Sequence, residues 1–364
     1  YKGILRYVSS QYDLPYVVQP LPVEAFAAEF AGAGEVALSW SPAMDPLEAT
    51  AAPTGYVVYT RVDDGGFDNG RYVDKPRLTV RQEPGRTYSY RVTAVNEGGE
   101  SFPSETLAAC RVPDEKGCVL IVNGFDRVSA PQSERNDSLA GFRMDLDGGV
   151  ADRQDIAFIG AQRVFDLAQA RCNVDSVALG ACACDWEILG KQRTTPLGRG
   201  VCEAAFRTFP PELQAVLRRY LAGGGGLFAS GSYVAADLWA EGTPEEGRAF
   251  AREVLRIDSD GGHPSERGRV RVMTSDASFS RGEYRFNTEY RRDRYVVERA
   301  DALKPAGAGA FAVMRYDDSG RTAAVACDAG GRTFVAGFPF ESIPDGVQRD
   351  RLMRDVLRFL FSDK

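Results

Sequence analysis

Histidine is almost missing from this chain: His263 is the single one among 364 residues. Structural zinc sites draw four ligands from Cys and His, and the seven cysteines do not make up the deficit. Cys182-Ala-Cys184 is one close pair, with no second CxC or CxxC to complete a tetrahedral set. Cys110, Cys118, Cys172, Cys202 and Cys327 are scattered, and an odd total is not that of a disulfide framework. Buried thiols are expected instead, most clearly in the apolar runs around Cys118 and Cys327, with no metal and no other cofactor. Long apolar runs are missing too. None approaches the ~20 residues that span a bilayer. Runs of Lys and Arg are also absent: 44 basic and 51 acidic residues are interspersed for a net charge of −7. That leaves nucleic acid without the electrostatic footprint it requires.

What is present is ordinary globular material, 44% hydrophobic and 26% charged, in enough chain for two domains. The sequence opens on Tyr1 with no secretory signal pattern, as expected of a piece excised from a longer protein. Tyr1-Lys2-Gly3-Ile4-Leu5-Arg6-Tyr7-Val8 places Ile4, Leu5 and Val8 on one helical face. Residues 1–19 therefore read as the remnant helix of an upstream domain and its linker.

Residues 20–112 follow a different rhythm. Val36-Ala-Leu-Ser-Trp40 and Gly55-Tyr-Val-Val-Tyr-Thr-Arg61 are short strand-forming runs separated by Pro42, Asp45, Pro46 and Pro53. Tyr88-Ser-Tyr90-Arg-Val92-Thr-Ala94-Val alternates apolar and polar residues, so one face is buried and the other wet. Asn96-Glu97-Gly98-Gly99 ends that strand, and Glu105–Arg111 supplies the last one. Short strands at regular spacing without a helical period give a β-sandwich. With Trp40 on the second strand, Gly-Tyr-x-Val-Tyr, Tyr-x-Tyr-x-Val-x-Ala-x-Asn and Gly-Gly-x-Ser-x-Pro-Ser in order, this segment resembles a fibronectin type III domain. The resemblance makes Trp40 the core tryptophan and Tyr88 the tyrosine-corner residue, its hydroxyl bonded to nearby backbone. Such a domain serves as a rigid spacer or binds through its loops, and the fold alone favours the spacer. Asp63, Asp64 and Asp68 lack the D-x-D-x-D-G order of a calcium loop and read as a solvated hairpin tip.

After a polar linker at Pro113–Gly117, residues 117–364 read as an α/β domain with a mostly parallel sheet. Cys118-Val-Leu-Ile-Val122 is continuously apolar, as in a strand buried on both faces. Asn123, Asp126 and Arg127 follow it, where open α/β sheets place ligands, so they are candidate binding residues. Pro211–Leu221 has Leu213, Val216, Leu217 and Leu221 at helical spacing and stops at four glycines. Leu227-Phe-Ala229 is a buried strand, and Ser230-Gly-Ser232-Tyr233 turns it towards another helix. A strand–Ser–helix elbow can expose a nucleophile, with amides at the new helix terminus as an anion site. Small residues that merely permit close packing give the same pattern. Ser230 and Ser232 are therefore candidates for binding, and Ser230, Glu341 and His263 for catalysis. A final strand at Thr333–Gly337 and a helix using Leu352, Val356, Leu357 and Leu360 close the chain. The stretch Arg281–Arg294, with Tyr284, Asn287, Tyr290, Arg291 and Arg292, reads either as a polyanion groove or as a surface strand pair of mixed charge, the latter favoured.

The order of Gly-rich turn, strand, small-residue elbow and late strand-then-Glu resembles the class I glutamine amidotransferase-like (flavodoxin-like) fold, hence a three-layer α/β domain. That family carries Cys at the elbow and His-x-Glu after the late strand. Here Ser230-Gly231 and Pro339-Phe340-Glu341 stand there, so the resemblance implies the scaffold without its thiolate machinery. The pairing of both domains, with Val-Leu-Ile-Val-Asn-Gly-Phe-Asp-Arg and Gly-Phe-Pro-Phe-Glu-Ser-Ile, resembles secreted bacterial proteins labelled xanthan lyase. In these the pair lies behind an N-acetylmuramoyl-L-alanine amidase-like domain, and Tyr-Lys-Gly-Ile-Leu-Arg-Tyr is similar to the closing helix of such an amidase. The resemblance implies a secreted, periplasmic or cell-surface protein and partners among glycan, peptidoglycan and an upstream catalytic domain. The expectation is a non-catalytic accessory region. The rivals are a serine hydrolase built on Ser230 and a purely structural spacer.

Overall fold

The structure, a computed structural model, describes residues 16–111 except 33, 64 and 105. Beyond these it describes the strands at 118–123, 132–135, 140–143, 168–173 and 186–191, then 209, 211–289, 297 and 299–362. The chain divides into two compact units, Tyr1–Arg111 and Val112–Lys364.

The first unit is built from eight strands: β1 Glu24–Gly32, β2 Glu35–Ser41, β3 Gly55–Val62, β4 Arg71–Val73, β5 Arg77–Arg81, β6 Thr87–Asn96, β7 Gly99–Glu100 and β8 Leu107–Cys110. One sheet runs β1-β2-β5 and the other β4-β3-β6-β8, with β7 on β6, and every pairing is antiparallel. Period-two alternation sends Val36, Leu38 and Trp40 inward from β2 to meet Tyr56, Val58, Tyr90, Val92 and Ala94 from the facing sheet. Trp40 sits edge-on between Phe26 (6.2 Å) and Tyr56 (5.4 Å), the arrangement that ring quadrupoles favour. Tyr88 does what the corner motif requires, its hydroxyl accepting from the Glu83 N–H at 3.1 Å. At the hairpin tip, Asp63 accepts from Arg86 and the Thr87 N–H, and Asp68 from the Thr60 and Gly70 N–H groups. These two carboxylates hold the turn.

In the second unit the described strands are β9 Cys118–Asn123, β10 Gln132–Arg135, β11 Ala140–Arg143, β12 Ala168–Asn173, β13 Trp186–Lys191, β14 Gly226–Gly231, β15 Ile257–Gly262, β16 Arg269–Val272, β17 Glu283–Arg285, β18 Asp301–Pro305, β19 Ala310–Tyr316, β20 Thr322–Cys327 and β21 Arg332–Ala336. Helices are few: α1 Pro211–Ala222, α2 Glu245–Phe250 and α3 Gly346–Phe361. Five strands run parallel in the spatial order β12-β9-β13-β14-β21. Counted along the chain, that order is 2-1-3-4-5. Beyond β21 the sheet turns antiparallel through β20, β19, β16 and β17, with β15–β18 attached at β20. The expectation of a mostly parallel sheet is thus corrected to a mixed one among the described residues. Short hairpin connections in residues 257–336 join neighbours antiparallel, as parallel pairing would demand longer crossovers.

The centre of this sheet is covered on both faces. Leu227, Ala229 and Val335 point to a core containing Leu213, Leu217 and Leu221 of α1, with Phe250 and Val254. Phe228 and Phe334 point the other way, where Phe279 stacks on Phe334 and touches Phe359 of α3. Asp345 caps α3 by accepting from the Val347 N–H at 2.8 Å, and Leu352, Val356, Leu357 and Leu360 are buried as their spacing predicts. Cys110 and Cys327 are buried, the Cys327 thiol directed at the carbonyls of Ala308 and Ala329. Tyr284 and Asn287 are buried rather than lining a groove, and Arg271 pairs with Glu283 and Asp317 on the β16–β17 strand pair. Tyr290, Arg291 and Arg292 lie outside the described residues. Among the described residues no helix is long and apolar enough to cross a membrane.

Candidate functional site

Ser230 and Ala336 stand opposite each other near the carboxyl ends of parallel strands β14 and β21. The ladder carries β14 on to Gly231, in register with Lys191, so the chain does not turn at Ser230. Ser230 is only 1% exposed, and its Oγ accepts from the Phe340 N–H at 3.3 Å. No carboxylate, amine or imidazole hydrogen-bonds to it among the described residues. Phe340 and Glu341 lie on a short 3₁₀ turn after β21, so the fold brings Ser230 and the Glu341 turn together. Glu341 is itself buried. His263 is elsewhere: it is exposed, in a left-handed turn (φ +53°) after β15, with its N–H on the Ala300 carbonyl. The Ser230–His263 pair is not formed. Asn123 ends β9, in register with Asn173 and Gly190 at the carboxyl end of the central strand. Asp126 and Arg127 lie outside the described residues.

The sharp turn falls three residues later than the sequence suggests. Tyr233 has φ +59°, a left-handed conformation that is uncommon for a bulky side chain and usually over-determined by its surroundings. The expected long helix is also absent, for only a 3₁₀ turn at Ala236–Trp239 follows. Its entry is held from a distance. Asp301, at the start of β18, places Oδ2 2.8 Å from the Ala235 N and 3.1 Å from the Ala236 N. These are the amides that follow the elbow, the place where an anion site was expected. The chain fills that site with its own carboxylate.

Asp301 is buried at 0% exposure, and burial pushes its pKa up to about 6 against the two amides and Arg299, which pull it down. Its Oδ1 has no hydrogen-bond donor among the described residues, and neither has the buried Oγ of Ser232. The Arg299 guanidinium lies over the Tyr233 ring at 5.3 Å and fills the space that Gly262 leaves open, where a Cβ would meet Nε at 2.2 Å. Tyr316 donates its hydroxyl to the Asp301 carbonyl at 2.7 Å, fixing that backbone under the sheet. The arrangement can hold an elbow rigid. It offers no accessible hydroxyl beside a base.

The fibronectin type III family matches residues 21–109, and that segment is a fibronectin type III domain. No curated protein matches the chain. Among solved structures, the twitchin kinase region from C. elegans is 26% identical, over 24% of this chain and 16% of that one, with a TM-score of 0.22. The titin kinase with its flanking domains is 23% identical over 25% of this chain, again 16% of its own length, with a TM-score of 0.22. This chain thus spans about a sixth of those structures. A cytoplasmic protein from Salmonella typhimurium LT2 is 12% identical over 67% of this chain and 99% of its own, with a TM-score of 0.44.

Proposed function

We propose that this chain is a non-catalytic accessory region of a secreted bacterial cell-envelope or glycan-active protein, which binds or positions polysaccharide or peptidoglycan for an enzyme elsewhere in its parent. The second unit is, in this reading, a three-layer α/β domain of the class I glutamine amidotransferase-like type that has lost its chemistry. The parallel order 2-1-3-4-5 supports the scaffold, being the flavodoxin-like order. The observation that carries the loss is the Asp301 carboxylate on the Ala235 and Ala236 amides. An anion-stabilising site needs those donors aimed at a developing charge, and here a resident charge takes them. Burial of Ser230 away from any base argues in the same direction against a serine hydrolase.

The experiment pairs two assays on the full chain: hydrolysis of p-nitrophenyl esters, and co-sedimentation with insoluble peptidoglycan and with polysaccharide. Expected are no turnover above buffer and measurable co-sedimentation. Turnover abolished by Ser230→Ala would overturn the non-catalytic reading, and a chain that sediments with neither polymer would overturn the accessory one.

A further inference from the structure

The fibronectin type III domain carries 13 acidic and 7 basic residues between 21 and 109, yet four of the seven cations fall between 71 and 81. Arg81 is spoken for by Glu35 at 3.4 Å. Arg71, Lys75 and Arg77 are exposed and form no ion pair among the described residues. All three line one open groove of about 860 Å³, walled by β2 and β5 on one side and by β4 on the other. Its single acidic lining residue is Asp74. A cluster of unpaired cations on a domain of opposite net charge creates a local field that selects anions.

Tyr72 stands in the same groove and is 60% exposed. It is not loose. Its phenol end rests on Gly55, where any Cβ would come within 2.3 Å of the hydroxyl oxygen, and that hydroxyl reaches the Thr54 carbonyl at 3.4 Å. Gly55 thereby seats an aromatic ring that is held from below and open to solvent. Charges on edge strands guard sheets against pairing with other sheets, and that would account for Arg77 alone. It does not account for an exposed ring fixed among three cations.

We propose that this groove binds an anionic polysaccharide, its carboxylates or sulfates paired with Arg71, Lys75 and Arg77 and a sugar ring stacked on Tyr72. The proposal rests on the accessory reading above and gives it a location and a ligand charge. A groove open along its length suits a polymer lying across it. The fixed aromatic favours sugar over an acidic peptide, which would be held by strand pairing and would make no use of a ring.

The test is titration calorimetry of the full chain with polygalacturonate, with neutral dextran and poly-glutamate as comparison polymers. Expected is binding to polygalacturonate that weakens as salt rises, with none to dextran. Arg71→Ala/Lys75→Ala/Arg77→Ala should lower affinity about tenfold or more, as for three exposed ion pairs lost together. Tyr72→Ala should weaken binding without changing its salt dependence, and Gly55→Ala should reproduce that effect by unseating the ring. Thermal unfolding of each variant monitors the fold, and Tyr72→Phe, which keeps the ring, should bind as the parent does. Poly-glutamate bound as tightly as polygalacturonate would reassign the groove to acidic peptide and overturn the proposal. Undiminished glycan binding by the triple variant would sink the groove while leaving the accessory reading intact. Failure of the parent to bind any glycan would remove both.

Discussion

The two units bury polar groups in opposite ways. In the sandwich, Tyr90 is 1% exposed and its hydroxyl receives the Gln82 amide at 2.8 Å, while the Tyr88 hydroxyl receives a backbone N–H. Both are neutral groups, so their partners need only offset a modest desolvation cost. In the second unit the buried group is a carboxylate with one oxygen satisfied twice and the other without a donor. It sits beside the left-handed Tyr233. One unit is arranged for stability. The other retains a strained, charged junction at the carboxyl end of its parallel strands, where folds of this kind place their sites. Strain concentrated there, rather than in the sandwich, is the mark of a site's ancestry.

Three substitutions test this contrast. The largest effect is expected at Trp40→Ala, which empties the centre of the sandwich and should cost about 3–5 kcal/mol in urea unfolding of the first unit. A loss below 1 kcal/mol would mean that the sandwich core is far looser than its packing indicates.

Next comes the pH dependence of the second unit. A folded pKa of about 6 for Asp301 lies above its unfolded value, so between pH 4 and 6 the folded state holds more protons than the unfolded one. Stability therefore falls as pH rises through that window, by roughly 2–3 kcal/mol from this group. Asp301→Asn keeps an acceptor for the two amides and removes the charge, so it should flatten the profile and raise stability at pH 7. An unchanged profile in denaturant titrations at pH 4.5 and 7 would show that the carboxylate is not the source. The smallest effect is expected at Tyr88→Phe, about 1 kcal/mol for one neutral hydrogen bond. A loss as large as that of Trp40→Ala would erase the distinction between the units.

Much of the first unit was legible in the sequence because its signals are local. Alternation over Tyr88–Val95 and the Trp40 strand depend on neighbours two residues apart, and a strand's period is read directly from such spacing. The helix at Pro211–Ala222 and its Gly stop were legible for the same reason. The elbow was not. Ser-Gly-Ser-Tyr contains several residues able to turn, and which of them takes the left-handed conformation is decided by Asp301, 66 residues away from Ala235. Asp301 itself precedes an ordinary apolar strand and carries no motif. The cations at 71, 75 and 77 were visible in the sequence, but their convergence needed the fold that sets β4 opposite β5.

The carboxylate on the elbow amides also has a historical meaning. An inactive domain can drift, because no reaction selects its geometry, yet this turn has kept both its strained backbone and its aligned donors. A ligand tethered to the same chain is always present at its site, so it props the elbow open in shape while closing it to competitors. Preservation of architecture and suppression of activity are then achieved by one side chain. Descendants of this protein stand a single substitution at Asp301 away from exposing two buried amides again.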